Sequence, residues 1–275
     1  MNNNKSVVRL TESAMMIAVA ALLSMAKLVE MPYGGSVTMA SMLPLVIIAY
    51  RHGTGWGLLT GLAYGAVQFA LGTKNIGGLP AKDFASVATL IAADYLLAFA
   101  VLGFGGVFRK LFKRQATALA LGSVLVAILR YLCHVLAGWT VWAQFDLSKA
   151  GLIYSLSYNA TYMIPELLIL VVAAVFLGNI LDFRGDGIRP LSKEEKADPS
   201  FGLLMASAAI LAFAASFDVV QIFKKVQDAD TGVFAAAPFD KVDWVLIAVV
   251  TAVCIAVAVG LLVVRRKLRK KEQEA

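Results

Sequence analysis

Apolar runs follow one another through almost the whole of this sequence, at about 10–29, 37–50, 55–73, 84–108, 116–142, 151–182, 201–223 and 242–264. A bilayer-spanning helix takes roughly 20 such residues. Backbone in lipid must also satisfy its own hydrogen bonds, so the pattern predicts an all-α polytopic membrane protein. The second run is short and contains Pro44. The first is expected to stay in the membrane, because further spans follow it rather than a soluble mature domain. Composition agrees, with 60% of the 275 residues hydrophobic and 16% charged, against about 25% charged in a soluble domain. Little chain remains for a soluble catalytic domain. Cys133 and Cys254 both lie inside apolar runs, which argues against a disulfide framework or a spaced metal site.

The net charge of +7 is distributed by topology. Lys5 and Arg9, Arg51, the group Arg109, Lys110, Lys113 and Arg114, the segment from Arg184 to Lys196 and the tail from Arg265 to Lys271 all fall at one set of span ends. By the positive-inside rule, that set predicts a multi-pass protein of the cell (plasma) membrane with both termini cytoplasmic. A basic cluster directly after a span fits anionic headgroups of the lipid bilayer, and no nucleic acid partner is expected. Residues 184–200 are charged and hold two prolines and two glycines, the signature of an exposed cytoplasmic linker. It divides a six-span module, 1–183, from a two-span C-terminal extension with a basic tail, 201–275.

Ionisable and polar groups inside spans are costly and mark sites by default. The fourth run carries Asp94 and Tyr95, the fifth Arg130 and His134 with Trp139 and Trp142 at its outer end, and the sixth Tyr154, Tyr158, Asn159, Tyr162 and Glu166. Tyr64 and Gln68 of the third share a helix face. At 1.5 Å per residue, His134, Asp94, Asn159 and Tyr64 all fall about 12–15 Å below the predicted outer surface. That common level predicts a pocket open to the outside. Aromatic faces attract cations and Asp94 accepts from an amino group, so the ligand is expected to be small, flat, nitrogen-rich and cationic. Each residue also has a plainer reading. Trp139 and Trp142 fit an interfacial belt, the tyrosines fit a packing stripe, and His134 fits a helix-to-helix hydrogen bond. Arg130 is expected to neutralise Asp94 or Glu166, with Glu166 as its partner rather than a ligand group. Ala14 and Ala18 form a small-xxx-small pair that lets another helix approach.

Several segments carry a resemblance: Tyr33-Gly-Gly-Ser-Val37, Pro44 with Arg51-His-Gly53, Gly57-Leu-Leu-Thr-Gly-Leu-Ala-Tyr-Gly65, Asp94-Tyr95 with Gly103 and Gly106, Arg130-Tyr-Leu-Cys-His-Val-Leu-Ala-Gly138 with Trp142, and Tyr154-Ser-Leu-Ser-Tyr-Asn159. Over about residues 7–182 the chain resembles the thiamine-specific S components of energy-coupling factor (ECF) transporters, the ThiT/YuaJ family. The resemblance implies a six-helix S-component module that binds thiamine from outside and has no ATPase of its own. It implies that the aminopyrimidine meets Asp94, while His134, Trp142, Tyr154 and Asn159 contact the two rings. Tyr95, Tyr64 and Gly35 complete the expected site. It further implies an ECF membrane coupling subunit and two ABC ATPases as partners, with Ala14 and Ala18 on the docking surface. No cofactor is expected, ATP being used only by the partner subunits. Asp94 stands where some members carry a glutamate, and Gly35 near the place of a tryptophan. The last two spans lie outside the resemblance.

The leading expectation is therefore a non-enzymatic membrane subunit capturing thiamine for uptake. Alternatives are an S component for another flat heterocyclic vitamin and a stand-alone proton-coupled carrier using Asp94, Arg130 and His134. An intramembrane enzyme ranks last, since no HExxH, GxSxG or paired acidic metal motif is present.

Overall fold

The computed structural model describes residues 2–31, 35–79, 81–142, 147–192, 200–226 and 240–274. Tyr33 and Gly34 of the first loop, residues 193–199 of the linker, and Asp228 and Asp230 lie outside the described residues. Helix α1 spans Asn2–Met25. A short hairpin follows, β1 at Lys27–Glu30 and β2 at Ser36–Thr38, with Val29 opposite Val37. Then come α2, Leu43–His52, and α3, Thr54–Leu71. Two long helical rods follow, α4 over Phe84–Lys110 and α5 over Gln115–Trp142, then α6 at Lys149–Ile180. A two-residue pair, β3 at Leu181–Asp182 and β4 at Arg189–Pro190, precedes α7, Phe201–Val226, and α8, Trp244–Glu274.

Among the described residues six helices, α1 and α4 to α8, are long and apolar enough to cross a membrane, and the molecule is a multi-pass membrane protein. The second predicted span is different. Its helix has 10 residues, about 15 Å, half the hydrocarbon thickness. Every residue from Leu43 to Arg51 is buried, so this helix is core. Pro44 sits in its first turn, where a missing N–H costs nothing. Gly53 at φ 89° allows the single-residue reversal into α3.

Glycines set how closely α3 and α4 approach. Gly57, Gly61 and Gly65 lie four apart on one face of α3, and a Cβ on each would meet backbone atoms of Gly103, Ala100 and Tyr95 respectively. The small face brings α3 backbone against α4 and fixes the rotation of the α4 segment bearing Asp94. That rod is not uniform. Asp83 caps it by accepting from the Ser86 N–H at 2.9 Å, Leu90–Leu97 winds as π-helix, and Val101–Lys110 tightens to 3-10. Helices α5 and α6 are pinned together near both ends. Ser155 donates to the Val135 carbonyl at 2.8 Å, and Gln115 donates to the Gly178 carbonyl at 2.9 Å.

A polar knot is built around Glu12, near the middle of α1. Arg51 donates to Glu12 at 3.0 and 2.8 Å and to the Phe183 carbonyl at 3.0 Å. His52 lies 2.7 Å from Glu12. It ties α1 and α2 to the chain leaving α6. The extension packs elsewhere, α7 against α6 and α8 against α7. Thr251 of α8 donates to Asp218 of α7 at 2.9 Å to either carboxylate oxygen. Both cysteines are free thiols.

Candidate functional site

A chamber of about 400 Å³ opens among α1, the β1–β2 hairpin and α3 to α6. Its lining includes each residue expected to bind ligand: Gly35, Tyr64, Asp94, Tyr95, His134, Trp142, Tyr154 and Asn159. Trp139 is absent from the lining, and its indole N–H donates to the Ser148 carbonyl at 3.1 Å.

Two of the lining segments are π-wound. Asp94 and Tyr95 lie on Leu90–Leu97, and Trp142 ends the π-helical turn Gly138–Trp142. An extra residue per turn rotates side chains off the regular helix face, and such turns concentrate at functional sites. Here they swing the carboxylate and the indole toward the chamber.

Asp94 Oδ1 makes a short hydrogen bond with His134 Nδ1. A carboxylate only accepts, so Nδ1 carries the proton, and in the neutral imidazole Nε2 is then an acceptor. That Nε2 is buried and has no partner. Asp94 and His134 both line the chamber, and a carboxylate with a neutral imidazole acceptor is complementary to a hydrogen-bond donor such as an amino group.

The tyrosines continue the wall. Tyr154 and Tyr158 stack with centroids 6.1 Å apart, Tyr158 meets Tyr162 edge-on at 6.0 Å, and Tyr162 meets His134 at 6.0 Å. Together with Trp142 they give π-faces for a flat cation. The four-residue stripe thus faces the chamber as well as packing. Asn159 holds the wall together: its amide N–H donates to the Ser155 carbonyl at 2.8 Å and the His134 carbonyl at 3.3 Å, while Tyr162 O–H donates to its oxygen. Tyr64 O–H donates to the Ala20 carbonyl at 3.1 Å, and Gln68 donates to Ser24 at 2.7 Å, fastening α3 to the end of α1.

The hairpin closes one side. The Gly35 N–H donates to Tyr158 Oη at 3.3 Å, and a Cβ at Gly35 would fall against the Tyr162 ring. A bulkier residue there would push the hairpin off the tyrosine wall.

The expected pairing of Arg130 is corrected by the structure. Asp94 is taken by His134, and Glu166 accepts the Thr38 N–H. Arg130 instead lies over the face of Phe99, 4.7 Å from its centroid, and among the described residues it forms no ion pair with either acid. Both Arg130 and Glu166 line the chamber. Ser155 of the sixth run lines the chamber too, while Ser24 at the end of α1, Lys27 at the start of β1 and Ser41 in the lining were not foreseen. Lys27 is held by an ion pair with Glu30 at 2.6 Å. Among the described residues no cluster of His, Cys, Asp or Glu could hold a metal. Ala14 and Ala18 lie outside the site, exposed on α1.

Comparison with known proteins gives one family. The family model described as thiamine transporter protein (Thia_YuaJ) matches residues 10–182, which is α1 to α6 with the hairpin. The thiamine transporter ThiT of Bacillus subtilis (strain 168) is 35% identical over 189 residues, covering 64% of this chain and 93% of the relative. Family and relative are transporters, not enzymes. A match that takes in every element lining the chamber, in a chain built of membrane helices, leaves one assignment: the protein belongs to the thiamine transporter (Thia_YuaJ) family.

Proposed function

We propose that this chain is the substrate-binding membrane subunit, or S component, of an ECF-type ABC transporter, and that it captures thiamine from outside the cell for ATP-driven uptake. The observation that carries the reading is the Asp94–His134 pair beside an aromatic wall in a single chamber. Thiamine offers what that chamber lacks. Its pyrimidine amino group donates to the Asp94 carboxylate and to His134 Nε2, and its thiazolium carries the positive charge that Trp142 and Tyr154 attract. Asn159, with its hydrogen bonds filled by protein groups, acts by holding Tyr162 and the His134 backbone in register.

The proposed topology puts both termini in the cytoplasm of a cell whose plasma membrane the chain spans. Ala14 and Ala18 then lie on an open face of α1, of whose apolar window only 11% is buried. Such a surface suits close approach by a helix of a membrane coupling subunit, which would in turn engage two ABC ATPases. In this reading the extension packs on α6 and leaves the α1 face free.

Titrating the purified chain with thiamine while following tryptophan fluorescence tests ligand capture, with quenching at micromolar vitamin the expected result. No response there would count against thiamine and favour another flat heterocycle. Uptake in a host without coupling subunits and ATPases tests the assembly. Accumulation in such cells would replace the S-component reading with a stand-alone carrier.

A further inference from the structure

The deep end of the chamber holds two charged groups that the capture of an amino group and a cation does not use. Glu166 is 1% exposed. One of its oxygens accepts the Thr38 N–H at the foot of the hairpin, and Oε2 has no partner. Arg130 Nε is buried and equally unpartnered, while its guanidinium rests on the Phe99 ring. Both line the same cavity, near the middle of α6 and of α5, where charged groups are expensive to keep and are retained for use. Among the described residues they form no ion pair with each other.

A guanidinium only donates and a carboxylate only accepts. The group that satisfies both must accept from one and donate to the other. An aminopyrimidine edge also pairs a donor with an acceptor, but in the reading above its amino group is taken by Asp94 and His134; a phosphate meets Arg130 at the expense of facing the Glu166 charge. A hydroxyl does both. We propose that Glu166 and Arg130 form a hydroxyl-reading subsite, in which the alcohol on the ligand's side arm donates to Glu166 Oε2 and accepts from the Arg130 guanidinium. The inference rests on the thiamine reading above, since thiamine carries one such alcohol on the ring opposite its amino group. It also gives Glu166 a double duty, with one oxygen on the hairpin and one on the ligand.

The test is calorimetric titration of the purified full-length chain with thiamine and with the analogue bearing ethyl in place of hydroxyethyl. The wild-type chain is expected to prefer thiamine about tenfold or more, the range for a hydrogen bond to a charged group. That preference is expected to shrink to about threefold or less in Glu166→Gln, which keeps an oxygen for the Thr38 N–H, and in Arg130→Met. In Asp94→Asn both ligands weaken and the preference stays. Equal wild-type affinity for the two ligands overturns the subsite while leaving thiamine capture intact, and it is read without any substitution, so a variant that fails to fold cannot obscure it. A preference that survives both substitutions at the deep end overturns it too. A wild-type chain that binds neither ligand removes the functional reading, and the subsite with it.

Discussion

Asp94 and His134 work as a unit, because the carboxylate decides which imidazole nitrogen keeps its proton. In Asp94→Asn the amide can donate to Nδ1 instead, which would place the proton on Nε2 and turn an acceptor into a donor facing the ligand's amino group. Thiamine affinity is therefore expected to fall by about tenfold or more, measured by fluorescence titration; unchanged affinity would take Asp94 out of the site. Gly35→Ala acts by shape alone. Its methyl group meets the Tyr162 ring, so affinity should drop with the fold intact, as read by titration beside an unchanged helical circular dichroism spectrum. Residue by residue, the chamber was largely legible, since polar groups in apolar runs are rare and those at one depth converge. The partner of Arg130 was not. Whether a side chain faces an acid or a ring depends on helix rotation, and that rotation is set by the glycine face of α3 against α4, a contact between elements that periodicity does not encode.

Among the elements of the family-matched region, α1 is the most exposed of the long apolar helices and gives the clearest separation of roles. Ala14→Trp should block assembly with a coupling subunit and leave thiamine binding unaltered, checked by pull-down of the partner alongside titration of the isolated chain. The turn after α6 carries a pH dependence. Burial pushes the Asp182 carboxyl up, yet hydrogen bonds from the Arg184 side chain (2.9 Å) and N–H (3.0 Å) and from Arg189 (3.3 Å) hold it below the usual carboxylate value. A depressed folded-state value means the stabilisation is complete above the ordinary pKa of about 3.9 and is lost as pH falls through the lower one. Amide exchange at Leu191, whose N–H donates to the Ile180 carbonyl at 3.0 Å, should accelerate in that acid window and lose its pH step in Asp182→Asn. The π-wound turns were illegible in the sequence for a physical reason: one extra residue per turn leaves an apolar run looking unbroken. The hairpin hid in the same way, because Lys27–Glu30 continues the first apolar run without a strong turn signal.

At the scale of the whole molecule, the family match ends at residue 182 while two more helices continue beyond it. No described residue of α7 or α8 lines the chamber, and α7 packs on α6. A chain ending after residue 192 is accordingly expected to bind thiamine within about threefold of the full chain, a difference of less than about 1 kcal/mol, by the same titration. A larger loss would show that α6 needs its outer neighbour to hold the tyrosine wall. The extension has a geometry of its own. With 31 residues, α8 is about 46 Å long, well over the roughly 30 Å of hydrocarbon. Its final turns, with Arg265, Arg266, Lys267, Arg269 and Lys270, continue as helix, so these charges ride on a stiff mast, and anything drawn to them is met at a fixed height above the lipid.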